Sequence, residues 1–207
     1  MTDDSKQQTT AGQPPLGQKP GAWQLRARFC PLCGGSLAPT EIAGRTRQRC
    51  APCNWVLYAN PASAAAAAVI DRELRVLLIR RSLAPHQGSW ALPAGYQEMD
   101  ENPQDAVERE VLEETGARIE VGPLLDVIYI ADDPRKPANV IIYLCRFLGG
   151  EVRGADDAME AAFFPLDQLP ENIGFDNTRL VLEPLRHRIE AGEWNFEEPW
   201  DRSPSGE

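Results

Sequence analysis

The sequence lacks any apolar run long enough to cross a membrane, which limits the classes of protein that it can represent. Its longest candidate, residues 64 to 70, is short and rich in alanine, whereas a membrane-spanning helix needs about 20 apolar residues. The first residues, Met-Thr-Asp-Asp, lack the basic and apolar regions of a secretory signal. We therefore expect a soluble, cytoplasmic protein with no membrane partner.

Positive charge is also scarce, since 21 lysines and arginines face 31 aspartates and glutamates in 207 residues. An acidic balance disfavours non-specific attraction to nucleic acid or to a membrane surface. The charge is uneven, because residues 95 to 116 hold eight acidic side chains and Arg109 as their single base. Such a segment repels a pyrophosphate ester unless bound cations reverse the local sign. The pattern therefore indicates a metal-dependent site.

Histidine and cysteine are both rare, but the cysteines are ordered. His86 and His187 have no partner at metal-binding spacing, so we expect structural or surface roles for them. Two CxxC pairs, sixteen residues apart, predict a tetrahedral Cys₄ site for structural Zn²⁺, formed by Cys30, Cys33, Cys50 and Cys53. A redox pair is the alternative, but it requires a single pair that opens a helix. The fifth, Cys145, is expected to be a buried strand residue.

Composition divides the chain into four segments. Residues 1–22 are rich in Gln, Thr, Pro and Gly and are predicted to be a disordered leader. Residues 23–60 form the zinc ribbon, and residues 61–191 have the pattern of a mixed α/β domain. Residues 192–207 are acidic and are predicted to be a partly disordered tail.

The α/β domain is predicted to begin with a hairpin, whose strands cover residues 64–70 and 74–80 on either side of Asp71-Arg-Glu. Alanine prefers helices, which argues against the first strand. Apolar, β-branched segments predict three further strands, at residues 118–130, 139–148 and 161–164. A closing helix is expected at about residues 176–191, kinked or interrupted at Pro184.

A capped helix is predicted between Asn102 and Gly116. Asn is a good N-cap, Pro103 suits the first helical position, and Gly is typical after the last turn. Glu110, Glu113 and Glu114 then fall within an arc of roughly 100°. Carboxylates this close repel each other unless a hard cation such as Mg²⁺ or Mn²⁺ binds them. A solvated acidic helix face is the alternative explanation of the glutamates alone.

The full spacing around this helix resembles the Nudix box. In order, the matching residues are Gly95, Glu101, Arg109, Glu110, Val111, Glu113, Glu114 and Gly116. Two departures, Asp100 and Ala117, remove no ligand. The resemblance implies the Nudix fold, an α/β/α sandwich with a mixed sheet, over roughly residues 62 to 190, preceded here by the Cys₄ ribbon.

The resemblance also implies a reaction, the hydrolysis of the pyrophosphate bond in a nucleoside diphosphate linked to another group, with Mg²⁺ or Mn²⁺ as cofactor. It assigns the metal ions to the Gly95 carbonyl and to the glutamates of the helix, with Glu98 as an added ligand. The helix glutamates in this set are Glu110, Glu113 and Glu114. Arg109 is expected to pair with Glu101 and to orient the helix and loop. Either Glu110 or Glu160, which lies later in the chain, is the expected catalytic base.

Four further residues are predicted to contact the substrate. Arg80 and Arg81 can hold a phosphate. Strand alternation points them to opposite faces, so for one of the two the alternative is an ordinary surface charge. Trp90 and Tyr96 flank the box loop and can stack on a base. Core packing is the alternative for both aromatic residues.

A Cys₄ ribbon before a Nudix domain is similar to two groups. NADH pyrophosphatases carry a Ser-Gln-Pro-Trp-Pro-Phe-Pro motif, which residues 131–137 do not match. Plant chloroplast FAD/ADP-ribose pyrophosphatases and their bacterial relatives fit better, through the Cys-Pro-Leu-Cys-Gly-Gly, Tyr-Ala-Asn-Pro and Trp-Ala-Leu-Pro-Ala-Gly-Tyr segments. ADP-ribose or FAD is therefore the expected substrate, and NADH or NAD⁺ is the alternative.

Other classes of function remain as alternatives. Some Nudix domains are non-catalytic ligand sensors or binding modules, but a sensor does not need the intact carboxylate set. Residues 25 to 60 carry five arginines against Glu41, which with Zn²⁺ and four thiolates gives a net charge of only about +2. Nucleic acid is therefore not an expected partner, while a homodimer is expected because dimers are common in the family.

Overall fold

The computed structural model describes residues 26–132 and 136–193. The predicted leader, and all of the predicted tail beyond residue 193, lie outside the described residues. The chain separates into two compact units, residues 1–60 with 134–136 and residues 61–133 with 137–207. Within the described part, no helix is long and apolar enough to cross a membrane.

The first unit contains a three-stranded antiparallel sheet beside the four cysteines. Its strands, in the spatial order β1-β2-β3, are β1 (Leu37–Ile42), β2 (Arg45–Cys50) and β3 (Val56–Leu57). Cys30 precedes β1 and Cys50 ends β2, and both are buried. Among the described residues of this unit, few apolar side chains are buried, so the cysteine cluster is placed where a core would otherwise be.

The second unit is built on a seven-stranded mixed sheet. Its main path runs β10-β5-β4-β9-β8, with β6 paired to β5 and β7 paired to β4. The parallel pair is β4 with β9, and the other pairs are antiparallel. The strands are β4 (Ala62–Ile70), β5 (Arg75–Arg81), β6 (Trp90–Ala91), β7 (Ala94–Tyr96), β8 (Arg118–Ile130), β9 (Ala138–Gly149) and β10 (Ala158–Pro165).

Helices cover the two faces of this sheet. Helix α1 (Pro103–Thr115) buries Ala106, Val107 and Val111 against one face, and α2 (Asp176–Glu190) buries Val181, Leu182 and Leu185 against the other. The expected α/β/α sandwich is therefore confirmed. Strand β4 lies at its centre, and its alternate alanines enter the two cores in turn. Small side chains let both layers approach closely, so burial on two faces overrides the helix preference of alanine.

Several elements differ from the sequence-based expectations. The short strands β6 and β7 were not predicted, and β10 begins at Ala158 rather than at residue 161. Helix α2 runs from Asp176 to Glu190 without the expected interruption at Pro184. Pro184 has no N–H group and cannot donate a helical hydrogen bond, but packing of the buried apolar side chains of α2 stabilises the helix enough to offset this loss. The predicted turn is present, and the Asp71 carboxylate accepts hydrogen bonds from the backbone N–H groups of Glu73 and Arg75.

Candidate active site

Both ends of α1 are fixed by the residues that predicted them. The Asn102 Oδ1 accepts hydrogen bonds from the backbone nitrogens of Gln104 at 2.9 Å and Asp105 at 3.0 Å. Gly116 has φ of 70° and donates its N–H to the Leu112 carbonyl. These bonds satisfy backbone groups that a helix end leaves without partners. The caps set the register of the helix and thereby the positions of its glutamates.

Glu114 joins the helix to strand β7, which carries Gly95. Its side chain is buried, with the residue 3% exposed, and its Oε2 accepts a hydrogen bond from the Ala94 backbone nitrogen at 2.9 Å. Burial is the main cause that raises the pKa of Glu114 to about 8; the Ala94 bond opposes this rise and the nearby Glu110 charge adds to it. An uncompensated charge is therefore costly at this position, and a cation would relieve that cost.

Glu110 lies directly against Gly95. A Cβ atom on residue 95 would overlap the Glu110 carboxyl group, so no side chain fits there while Glu110 keeps its position. Burial raises the pKa of Glu110, and the paired Arg109 opposes that rise. The contact brings the Gly95 backbone close to the Glu110 carboxylate, and backbone and carboxylate oxygens are the ligand types that hard cations take.

Arg109 connects the carboxylates of the helix with the box loop. It donates to both oxygens of Glu101, at 2.7 and 3.0 Å, and to Glu110 at 2.7 Å and Glu113 at 3.0 Å. A further bond of 3.1 Å reaches the Tyr96 carbonyl. Its hydrogen bond with Glu101 is the main cause that raises the pKa of Arg109, so the guanidinium stays charged. Arg109 thus offsets part of the repulsion between carboxylates and holds the loop on the helix.

The remaining box carboxylates point outward. Glu98 and Glu113 are exposed, and the Glu98 carbonyl accepts a hydrogen bond from the Glu101 backbone. In the described part of the chain, only the four cysteines place three or more possible ligand atoms all within 4.8 Å of one another. The carboxylates are therefore spread along the helix face instead of enclosing a single ion. Such a face suits cations that also take ligands from substrate phosphates.

Glu160 lies apart from these carboxylates. It is directly opposite Arg80 in the β5–β10 pairing, and their side chains approach to 3.8 Å. Arg80 alternates in phase with Val76 and Leu78, which belong to the core on the α2 side. Glu160 is thus directed to the face opposite α1, on a strand and not in a loop. Its role as base stays a prediction, and this placement argues for Glu110.

Asp157, in the loop before β10, is the nearby acid whose charge affects Glu114 of α1. It precedes β10 and is exposed, and its charge contributes to the raised pKa of Glu114. Its carbonyl accepts the backbone N–H of Ser82 at 2.9 Å, which ties the loop to the end of β5. No sequence signal distinguishes Asp157 from its neighbour Asp156, because both lie in an irregular acidic loop.

The two predicted phosphate-binding arginines face opposite sides of the sheet. Arg81 follows the phase of Leu77, which packs on the α1 side, and its charge lowers the pKa of Glu114 against the larger effect of burial. Its guanidinium donates to the Pro85 carbonyl at 3.0 Å and lies 5.1 Å from the Phe175 ring centroid. Arg80 donates instead to the Gly88 carbonyl. Of the two, Arg81 is on the side of the carboxylates.

The two aromatic candidates differ in exposure, since Trp90 is buried and Tyr96 is exposed. Trp90 is only 9% exposed and meets Phe164 edge-on, with 4.7 Å between ring centroids. It is a core residue and offers no free face to a base, so its predicted substrate contact is not supported. Tyr96 is exposed beside the box loop. His86, expected to be structural, contacts Asp132 at 3.0 Å and the Phe175 ring at 4.6 Å.

The four ribbon cysteines meet as their spacing predicts. The Sγ atoms of Cys30 and Cys53 are 3.7 Å apart, and those of Cys33 and Cys50 are 3.4 Å apart. Zinc–sulfur bonds of about 2.3 Å in a tetrahedron give sulfur separations of about 3.8 Å. All four are free thiols, so the cluster fits a metal ion better than a disulfide pair.

Replacing Gly95 with alanine tests the contact with Glu110. The added methyl group displaces the flexible end of Glu110 and leaves the backbone in place, so the midpoint of thermal unfolding is expected to change little. If the site is catalytic, its kcat is expected to fall about a hundredfold, because the carboxylate leaves its position. Equal activity of Gly95→Ala and wild type would show that this contact has no catalytic role.

Comparisons with known proteins agree with the geometry. The NUDIX domain family matches residues 60–183. An ADP-ribose pyrophosphatase from Methanocaldococcus jannaschii is 39% identical over 131 residues, which are 63% of this chain and 76% of that protein. An NAD-capped RNA hydrolase, NudC, from Chromobacterium violaceum is 30% identical over 69% of this chain, but only 52% of its own length is covered.

A solved structure extends the similarity to the fold. The crystal structure of a NUDIX hydrolase from Nitrosomonas europaea has a TM-score of 0.68 and 27% identity, over 84% of this chain and 96% of that one. The residues that match the NUDIX domain family, 60–183, cover most of the second unit. The capped glutamate helix, the glycine beside it and these relatives together establish that the chain belongs to the Nudix hydrolase family.

Proposed function

We propose that the chain hydrolyses the pyrophosphate bond of ADP-ribose, giving AMP and ribose 5-phosphate, with FAD, giving AMP and FMN, as the second substrate. The contact between the Glu110 carboxylate and the Gly95 backbone carries the proposal, because it assembles oxygen ligands beside a capped helix. The ADP-ribose pyrophosphatase of M. jannaschii supports the first substrate, with 39% identity over 76% of its length.

Divalent cations fit the carboxylates of this site. Buried Glu110 and Glu114 have raised pKa values, so a cation beside them stabilises the charged forms that burial disfavours. When bound, Mg²⁺ or Mn²⁺ supplies positive charge for the phosphate oxygens and makes water more acidic. The residues proposed to hold these ions are Gly95, Glu98, Glu110, Glu113 and Glu114.

The chain's own residues would hold the phosphates and move the proton. Glu110 is partly buried and its pKa is raised, so its carboxylate is a stronger base than an exposed glutamate. Arg109 keeps Glu110 in position through a 2.7 Å bond. Arg81, on the same side of the sheet, is the arginine proposed to bind a phosphate. Tyr96, exposed beside the box loop, is the aromatic residue proposed to contact the base.

Zinc in the ribbon is proposed to be structural. Four thiolates complete the coordination of the ion and leave no position for substrate. The sulfur separations of 3.4 and 3.7 Å support a tetrahedral site. Because the ribbon buries few apolar residues, the ion would provide most of its folding free energy.

Two alternative functions have specific discriminators. Hydrolysis of NADH or NAD⁺ has the support of the NudC relative, although residues 131–137 lack the motif of NADH pyrophosphatases. A ligand sensor would bind one nucleotide tightly and turn none over. Purified protein with Mg²⁺ or Mn²⁺ should be assayed against ADP-ribose, FAD, NADH, NAD⁺ and nucleoside triphosphates. The highest kcat/KM is expected for ADP-ribose, and a higher value for NADH would replace the proposed substrate.

The raised pKa of Glu114 predicts a pH-dependent stability of the metal-free second unit. Glu114 holds its proton more tightly when folded, with a pKa of about 8 against 4.5 in the unfolded chain. The contribution of Glu114 to the free energy of unfolding is therefore complete below pH 4.5. It is lost as pH rises through about 8. Urea unfolding should show a decrease of about 2 kcal/mol between about pH 6 and about pH 8. Glu114→Gln or added Mg²⁺ should flatten this profile, and an unchanged slope in Glu114→Gln would contradict the assignment.

A further inference from the structure

Three arginines of the ribbon share one face of its sheet. Arg45, Arg47 and Arg49 alternate along β2, opposite Ile42, Thr40 and Ala38 of β1. Side chains two residues apart point to the same face, about 7 Å from one another. Arg45 and Arg49 are exposed. The strand therefore presents a regular row of guanidinium groups, here called the arginine face.

The acidic residue of the ribbon does not neutralise this row. Glu41 is the single acid among residues 26 to 60, and it lies opposite Thr46, whose hydroxyl donates to its carboxylate. Thr46 is out of phase with the arginines, so Glu41 is on the other face of the sheet. Cys50 is also out of phase with the arginines along β2. A net charge near +2 for the whole ribbon thus understates the charge of the arginine face.

An aromatic ring lies within the arginine face. The Arg47 Cζ is 4.6 Å from the centroid of the Tyr58 ring, and Tyr58 is 54% exposed. Arg49 is opposite Val56 of β3 and donates to the Asn54 Oδ1 at 2.8 Å. The stacked Arg47 and Tyr58 present flat surfaces, and all three guanidinium groups of the row carry positive charge.

We propose that the arginine face binds single-stranded nucleic acid. Its row of guanidinium groups repeats at a distance comparable to that between successive phosphates of an extended strand, and an exposed ring beside cations is the usual stacking platform for unpaired bases. An acidic peptide could pair with the arginines, but it would leave the Arg47–Tyr58 stack without a partner. This site is within the ribbon and does not depend on the hydrolase activity proposed above.

Binding can be measured by fluorescence anisotropy, with zinc-loaded full-length protein and a labelled oligouridylate of about 12 nucleotides at low salt. Three phosphate contacts predict a log–log salt slope of about −2. Replacing Arg45, Arg47 and Arg49 together with glutamine is expected to weaken binding at least tenfold and to remove the slope. Tyr58→Ala is expected to weaken binding about fivefold and to leave the slope unchanged, because stacking releases no counterions.

A matched control removes equal charge from the other unit. Arg118, Arg153 and Arg188 are exposed there, and their joint replacement by glutamine should change affinity less than threefold. The ribbon triple variant should keep its zinc and its ADP-ribose hydrolysis, and Glu110→Gln should keep oligonucleotide binding. An oligodeoxythymidylate of equal length shows whether the sugar matters, and binding of either strand supports the proposal. No binding at low salt, equal loss in both triple variants, or equal competition by polyglutamate would overturn it.

Discussion

Glu110→Gln is expected to lower the kcat for ADP-ribose hydrolysis about a thousandfold, equivalent to about 4 kcal/mol of transition-state stabilisation. Glutamine keeps the size of the side chain but removes its charge and its basicity. The Glu110 carboxylate is in contact with Gly95 and paired with Arg109. The substitution therefore removes both the charge that would hold a cation and the base from the centre of the site. Steady-state kinetics at saturating Mg²⁺ measures the effect.

Glu108→Gln is the matched control for this substitution. Glu108 is on the same helix and has the same charge, but it is exposed and not part of the Arg109 network. Its kcat should remain within threefold of wild type. If Glu110→Gln loses less than tenfold, or if both variants lose equally, the carboxylates of α1 act only through their general negative charge and the proposed base is wrong.

Removal of zinc is expected to unfold the ribbon and leave the hydrolase unit folded. An ion held by four thiolates contributes about 10 kcal/mol or more of folding free energy to a domain this small. The second unit builds two apolar cores from its own described residues, so we expect it to have its own stability. Hydrogen exchange after Cys50→Ala should show complete loss of protection in β1 and β2, with α1 and β4 unchanged.

Cys145→Ala is the control for the cysteine substitution, because Cys145 is a buried residue of β9 outside the cluster. It should retain one zinc ion per chain by elemental analysis, whereas Cys50→Ala should retain none. A ribbon that stays protected without metal would contradict the structural role. Loss of protection in the hydrolase strands as well would show that the two units unfold together.

Local sequence signals predicted the elements that hold the glutamates of the candidate site. Asn102 and Gly116 mark the ends of α1 because capping depends on the residues at the ends themselves. The alanines of β4 gave a weaker signal, since alanine prefers helix and only burial on both faces of the sheet explains the strand. Pro184 predicted a kinked or interrupted helix, and the interruption is absent because apolar packing of α2 offsets the missing hydrogen bond.

Positions that depend on strand pairing were harder to predict. Whether Glu160 faces α1 follows from its register with Arg80, which no local pattern specifies. The burial of Trp90 likewise depends on Phe164 from a distant strand. In the ribbon, counting charges gave a modest total, whereas the β1–β2 register separates Glu41 from the arginines. Sequence spacing thus predicted helix faces and the cysteine cluster better than it predicted the faces of the sheets.

Hydrolysis of ADP-ribose in ¹⁸O-labelled water tests the central claim most directly. Purified protein with Mg²⁺ should give AMP and ribose 5-phosphate in equal amounts, and mass spectrometry should find one ¹⁸O atom in a phosphate of one of the two products per turnover. That result would establish attack of water on the pyrophosphate. Tight binding of ADP-ribose without any product, by a protein that has full occupancy of zinc and Mg²⁺, would contradict the proposed function and identify a ligand sensor.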